Sequence, residues 1–258
     1  MFITIFWYHL SMNDRRRLYK QILIAVIYAA IFTGLGTGIY FLVRPTPVPP
    51  PPPAPVINPL QTVWAQAFSS APGIYSVAAR VRNPNTGFGS SNFGYTFYLY
   101  DASGNLLGAR AGESFIWPGE SKYLIVAGIS DLVKAPVKVE LVFGEPVWQE
   151  VKDFGGVDLT IGNINFGKGA PGSGRFFVVD AVAVNGTSYD LDRVYVAAVV
   201  YGAGDSPIAV NPTVLENLKS KERRPVSLAW FSPFSGAASR VDLSISTNLW
   251  ERPELLSQ

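Results

Sequence analysis

Chemistry in this chain has to be sought among carboxylates, because the sequence offers little else. It contains no cysteine and one histidine, His9, which precedes a long apolar stretch. Lack of cysteine removes thiolate nucleophiles, disulfides and Cys-based zinc or iron–sulfur sites. With no imidazole after the apolar stretch, a Ser-His-Asp arrangement is excluded there too. What remains is a set of acids: Asp101, Glu113, Glu120, Asp190 and Asp192. Two of them held at a controlled separation in a cleft would suit glycoside hydrolysis. Each, however, stands in a turn-like context, where a carboxylate caps backbone N–H groups or sits in water. Asp190 and Asp192, with Asp205 elsewhere, offer oxygen ligands for Ca²⁺, but the full calcium-loop spacing is missing. Gly167 to Gly174 is rich in glycine like a phosphate cradle, yet it lacks the Walker spacing and no helical pattern follows it. A hairpin or edge loop fits that run better. The sequence therefore predicts no catalytic residue, no cofactor and no resident metal.

Binding chemistry has more to work with. Phe88, Phe93, Tyr95, Phe115, Trp117, Trp230, Phe231 and Phe234 stand near turns or strand ends, where exposed rings could form a patch for a protein or a glycan. Filling the space between two sheets is the competing use of such rings. Trp230, Phe231 and Phe234 are the strongest partner-binding candidates, since Pro233 interrupts the strand while bulky apolar groups continue.

The elements that must position these residues begin with an anchor. Residues 22–43 are uncharged throughout and long enough to cross a hydrocarbon core of about 30 Å as a helix. Arg15, Arg16, Arg17 and Lys20 precede the span and Arg44 follows it, which predicts a cytoplasmic N-terminus and outer C-terminal domains by the positive-inside rule. A signal peptide has an apolar region of about 7–15 residues and a small-residue cleavage site, so an uncleaved anchor is the better reading. The leading MFITIFWYHL is apolar but too short to span; a start at Met12 would give the ordinary leader MNDRRRLYK. Gly34 and Gly38 form a GxxxG pair that would let two helices approach, hence a homo-oligomer, although glycines are common in membrane helices generally. Removing the anchor's five cations and Asp14 leaves 16 basic against 18 acidic residues. No basic face remains to track a phosphate backbone, so nucleic acid is not an expected partner.

After the anchor, PTPVPPPPPAP at 45–55 cannot be helix or central strand and is expected to be an extended polyproline stalk. Beyond it the chain repeats itself. FYLYDASGNLLG at 97–108 matches AVVYGAGDSPIA at 198–209, and IYSVAARVRNPN at 74–85 matches FVVDAVAVNGTS at 177–188. Each copy closes on a β-rich run followed by Trp148 or Trp250. In VKVELVF, Val137, Val139, Leu141 and Phe143 share one face and Lys138 and Glu140 the other, as in a half-buried strand. Gly-containing turns punctuate such runs, and only the short Thr213 to Lys221 has helical periodicity. The fold class expected is all-β, two tandem immunoglobulin-like sandwiches after one transmembrane helix. Its parts are a leader 1–21, the span 22–43, a stalk 44–59, sandwiches at 60–148 and 149–250, and a tail 251–258.

Phe97, Leu99, Tyr100 and Asp101 carry the FxLYD motif, and the domains resemble the bacterial and archaeal FxLYD family. Asn83-Pro84-Asn85 after a β-run is also similar to type 2 late-embryogenesis-abundant (WHy) domains. In the second copy the motif becomes Ala198, Val200, Tyr201 and Gly202. The resemblance implies an extracytoplasmic β-sandwich without known catalytic residues, in which the motif is architectural. Leu99 would face the core, Tyr100 would cover a sheet face and Asp101 would start a turn. Two functions follow as expectations. One is a non-enzymatic envelope protein held at the plasma membrane to bind or assemble partners; the other is a carboxylate-dependent carbohydrate-active enzyme of the cell surface.

Overall fold

The computed structural model describes residues 12–44, 55–152, 154–252 and 255. His9, the leader to position 11, the proline run 45–54 and most of the tail 251–258 lie outside the described residues. The chain divides into two compact units, Met1–Pro55 and Val56–Gln258.

In the first unit, uncharged residues follow one another without a polar face, and the result is helix α1, Met12–Val43. Within its segment Asp14–Val43, an 18-residue window reaches a mean hydropathy of 2.1 with none of it buried against protein, so the helix is long and apolar enough to cross a membrane. The hydroxyls of Thr33 and Thr37 donate to the carbonyls of Ala29 and Thr33, both at 2.7 Å. These bonds satisfy the two threonine hydroxyls of the apolar stretch within the helix itself.

Among the described residues the second unit has 13 strands, all paired antiparallel. Strands β1 (Gln61–Ala71), β2 (Ile74–Arg82) and β5 (Ser121–Ile129) form one sheet in the order β1-β2-β5. Opposite lies β4-β3-β6, made of β3 (Phe88–Tyr100), β4 (Leu106–Ile116) and β6 (Lys138–Phe143), with β7 (Trp148–Glu150) also paired to β3. Val77, Ala79, Val81, Phe93, Phe97, Leu99, Ile116 and Leu124 fill the space between these sheets. The second half repeats the plan. Strands β8 (Leu159–Lys168), β9 (Phe177–Asn185) and β12 (Arg223–Trp230) face β10 (Leu191–Tyr201), β11 (Pro207–Leu218) and β13 (Arg240–Ser246), in the orders β12-β9-β8 and β11-β10-β13. In both halves the first, second and fifth strands oppose the fourth, third and sixth, an immunoglobulin-like sandwich.

The repeat extends to single hydrogen bonds. Asn83, just after β2, is fully buried; its Nδ2 donates to the carbonyls of Phe88 (2.6 Å) and Trp117 (2.9 Å). Asn185 does the same at the end of β9, donating to the carbonyls of Tyr189, Leu218 and Lys219. Each Oδ1 accepts the backbone N–H two residues on, from Asn85 and from Thr187. These asparagines tie the loop after the second strand to the loop after the fourth, where backbone groups have no ladder partner. Asn85 then clamps the start of the unit: Asn58 N donates to its Oδ1 and its Nδ2 donates to Asn58 O, both at 2.8 Å.

The halves are not separate beads. Trp64, Phe68, Ala78 and Tyr123 from the outer face of β1-β2-β5 meet Val199, Tyr201 and Val210 from the outer face of β11-β10-β13. The four sheets therefore stack in layers with an apolar seam at mid-height. Tyr123 Oη donates to Asp242 Oδ2 at 2.6 Å, which leaves Tyr201 Oη to donate to Tyr123 across 3.0 Å. Thr213 to Lys221, periodic like a short helix, is instead mostly β11: Thr213 pairs with Val196 and Leu218 with Leu191. Ladder pairing along a strand already fixed by its neighbour outweighs weak local propensity.

Candidate functional site

Phe97, Leu99 and Tyr100 end β3, and Asp101 builds the turn that follows. Phe97 and Leu99 are fully buried, and Asp101 Oδ1 accepts the backbone N–H groups of Ser103 and Asn105, both at 2.9 Å. Lys134 Nζ donates to Asp101 Oδ2 at 3.1 Å. Hydrogen bonds from Asn105, then Lys134, hold the carboxyl at a pKa of about 2. Tyr100, half-buried, donates to Glu140 at 3.3 Å, and Lys138 Nζ stands 5.4 Å from its ring. At the matching turn of the second half, Gly202 N donates to Ser206 O at 2.9 Å, just as Asp101 N donates to Asn105 O. Tyr201, the counterpart of Tyr100, is buried in the seam beneath the Arg240 guanidinium, 4.0 Å away.

The three partner-binding candidates separate. Trp230 is buried, its Nε1 donating to Val210 O at 3.2 Å, and it is a core residue of the second sandwich rather than a presented ring. Phe234 is half-buried against Phe176 and Phe177, with ring centroids 5.2 Å away in both cases. Phe231 alone projects, at 71% exposure, because Trp230 is the last residue of β12 and the next side chain has no facing sheet. Phe93, Phe115 and Trp117 are buried as well. Gly34 and Gly38 have open space where a Cβ would sit.

The acids are brought together only in part. Asp190 accepts from Lys219 Nζ and Ser220 N, both at 2.9 Å, which lowers its pKa. Asp192 lies 3.6 Å from Arg252. Asp205 pairs with Arg240 beyond the far end of β10, so that strand, about 3.3 Å per residue, keeps it from joining Asp190 and Asp192 around one cation. No group of three metal-ligating side chains occurs among the described residues. Glu120 Oε2 accepts from Trp117 N at 2.7 Å, and Glu222 repeats this with Lys219 N at 2.7 Å, so both close turns. Gly167 to Gly174 belongs to the β8–β9 hairpin, which Gly169 N closes on Phe176 O at 3.1 Å.

Glu113 has a different setting. It sits on edge strand β4 and lines a cleft of about 700 Å³ that opens along the seam between the sandwiches. Tyr95, Glu113 and Lys122 come from the first half, and Tyr195, Trp250 and Glu251 from the second. Lys122 is buried, its Nζ donating to Phe115 O at 2.8 Å and lying 3.5 Å from the Phe115 ring centre; burial lowers its pKa. Trp250 stacks on Trp117 at 4.7 Å, and Trp117 stacks on Phe154 at 5.0 Å. Gly89 makes room for this stack, since a Cβ there would meet the Trp250 ring at 2.8 Å.

No protein-family model matches the chain, and no curated protein resembles it closely enough to count as a relative. The cleft escaped the sequence reading because its walls come from both halves. A signal was nonetheless present. SVAARV in β2 and VAAVVY in β10 are nearly continuous apolar runs, the pattern of strands covered on both faces.

Proposed function

We propose that this chain is a membrane-anchored, non-enzymatic binding protein of the cell envelope, with FxLYD-type sandwiches as its binding body. The helix would lie in the plasma membrane with the N-terminus cytoplasmic and the β unit outside. The observation that supports binding is the cleft at the seam, a concave site of about 700 Å³ built jointly by two sandwiches that pack as one unit. A rigid scaffold loses little entropy when it takes a ligand.

Photo-crosslinking in living cells tests this reading. A benzoylphenylalanine replacing Tyr195, in the cleft, is expected to give discrete adducts of the full-length protein, and the same residue replacing Val142 on the outer sheet is not. Adducts of equal pattern from both positions count against a cleft-based role. Topology has its own test, since the chain is free of cysteine: a single cysteine replacing Ser103 should react with membrane-impermeant maleimide in cells whose outer barrier has been opened, while one replacing Asn13 should not.

One observation favours a second reading, a carbohydrate-active enzyme: Glu113 and Glu251 line the same cleft. Glycan hydrolysis abolished by Glu113→Gln would establish that reading over pure binding.

A further inference from the structure

The cleft at the seam has a definite chemistry, and we infer that it binds a neutral saccharide; this rests on the binding role proposed above and gives it a ligand class. Trp250 lines the cleft, yet its indole N–H is buried without a hydrogen-bond partner. That nitrogen is closed off even to water, so it is the ring of Trp250, not its N–H, that a ligand in the cleft can touch. Two amide–carboxylate pairs line the same space. Asn92 Nδ2 donates to Glu113 Oε2 at 3.4 Å, and Asn248 Nδ2 donates to Glu251 Oε1 at 3.0 Å. Each pair retains a second carboxylate oxygen and a further amide N–H to donate, whereas the Asn248 carbonyl already accepts the Trp250 backbone N–H at 3.2 Å. Neighbouring sugar hydroxyls, which donate and accept at once, match that set.

Rings supply the apolar side of the site. Tyr95, Tyr195 and Trp250 line the cleft, and C–H-rich pyranose faces pack against such surfaces. Trp250 is held in place beforehand by its stack on Trp117, so little freedom is lost when a sugar settles on it. Charge sets the class. Two carboxylates, Glu113 and Glu251, face one ammonium, Lys122, whose Nζ is already engaged by Phe115. Phosphate, sulfate and uronate groups would meet a net negative wall, and neutral sugars would not.

The test uses the full chain in lipid nanodiscs, which avoids glycosidic detergents. Maltotriose, cellotriose and triacetylchitotriose are the neutral probes, with sialyllactose as the anionic control. Binding is followed by tryptophan fluorescence and by the indole N–H resonance of Trp250, assigned with Trp250→Phe. At least one neutral trisaccharide is expected to saturate and move that resonance, and sialyllactose is not. Glu113→Gln and Trp250→Phe are each expected to weaken binding about fivefold. Glu113 is exposed on an edge strand, so its variant keeps the test valid even if Trp250→Phe lowers stability. Silence from all three neutral sugars, equal binding of sialyllactose, or binding unchanged in both variants would overturn the assignment. If the sugars are silent while the crosslinker in the cleft still captures a protein, the binding role stands and the saccharide falls. If neither responds, both fall.

Discussion

Asp101 shows how much one side chain does in the first sandwich. It takes two backbone N–H groups, the Asn105 amide and the Lys134 ammonium, and its pKa falls from 3.8 to about 2. A depressed carboxyl stabilises the fold above its unfolded value, and that contribution is lost as pH falls through the folded value. Thermal melts of wild type and Asp101→Asn should therefore differ near neutrality and converge between pH about 4 and about 2. Asn83 works by neutral bonds instead. Removing its amide in Asn83→Ala takes a donor from the carbonyl of Phe88, one of two donors from that of Trp117, and the acceptor from the N–H of Asn85, with an expected loss of about 2 kcal/mol in urea titrations. Asp101 as a turn opener is readable from sequence, because turn chemistry is local. The role of Asn83 is not, since its partners lie up to 34 residues away.

Among elements, the β8–β9 hairpin separates a glycine required by geometry from one that is incidental. A Cβ on Gly169 would strike the backbone carbonyl of Arg175, which cannot swing aside, whereas one on Gly167 meets nothing within 4 Å. Gly169→Ala is expected to destabilise by about 1–3 kcal/mol, and Gly167→Ala to leave stability unchanged or raise it by about 0.5 kcal/mol. Paired denaturant titrations check both. Strand β6 was legible because Val139, Leu141 and Phe143 alternate with Lys138, Glu140 and Val142. The end of β11 was not, because its polar and apolar residues fit two periodicities and pairing with β10 chose between them.

For the whole molecule, the seam is the deciding feature. Ala78 and Val199 are fully buried there, on faces that would be wet in separate sandwiches. The β unit should unfold in one calorimetric transition, and Ala78→Glu, which buries a charge against the partner sheet, should split or broaden it. Tyr123 adds a pH signature: burial first, then its bonds to Asp242 and Tyr201, raise its pKa well above the ordinary phenol value. A raised group stabilises below its unfolded value of about 10 and loses that contribution as pH climbs further. The melting temperature of wild type should therefore drop more steeply above pH 10 than that of Tyr123→Phe.

The sequence alone determined the apolar helix, the all-β character and the repeat, because hydropathy, the period-two alternation of strands and turn chemistry are written within a few adjacent residues. Only the tertiary structure decided that the sandwiches share a seam, that Trp230 turns inward while Phe231 projects, and that Glu113 and Glu251 border one cleft. Those outcomes depend on which sheet face meets another, a relation between residues far apart in the chain that no local pattern encodes.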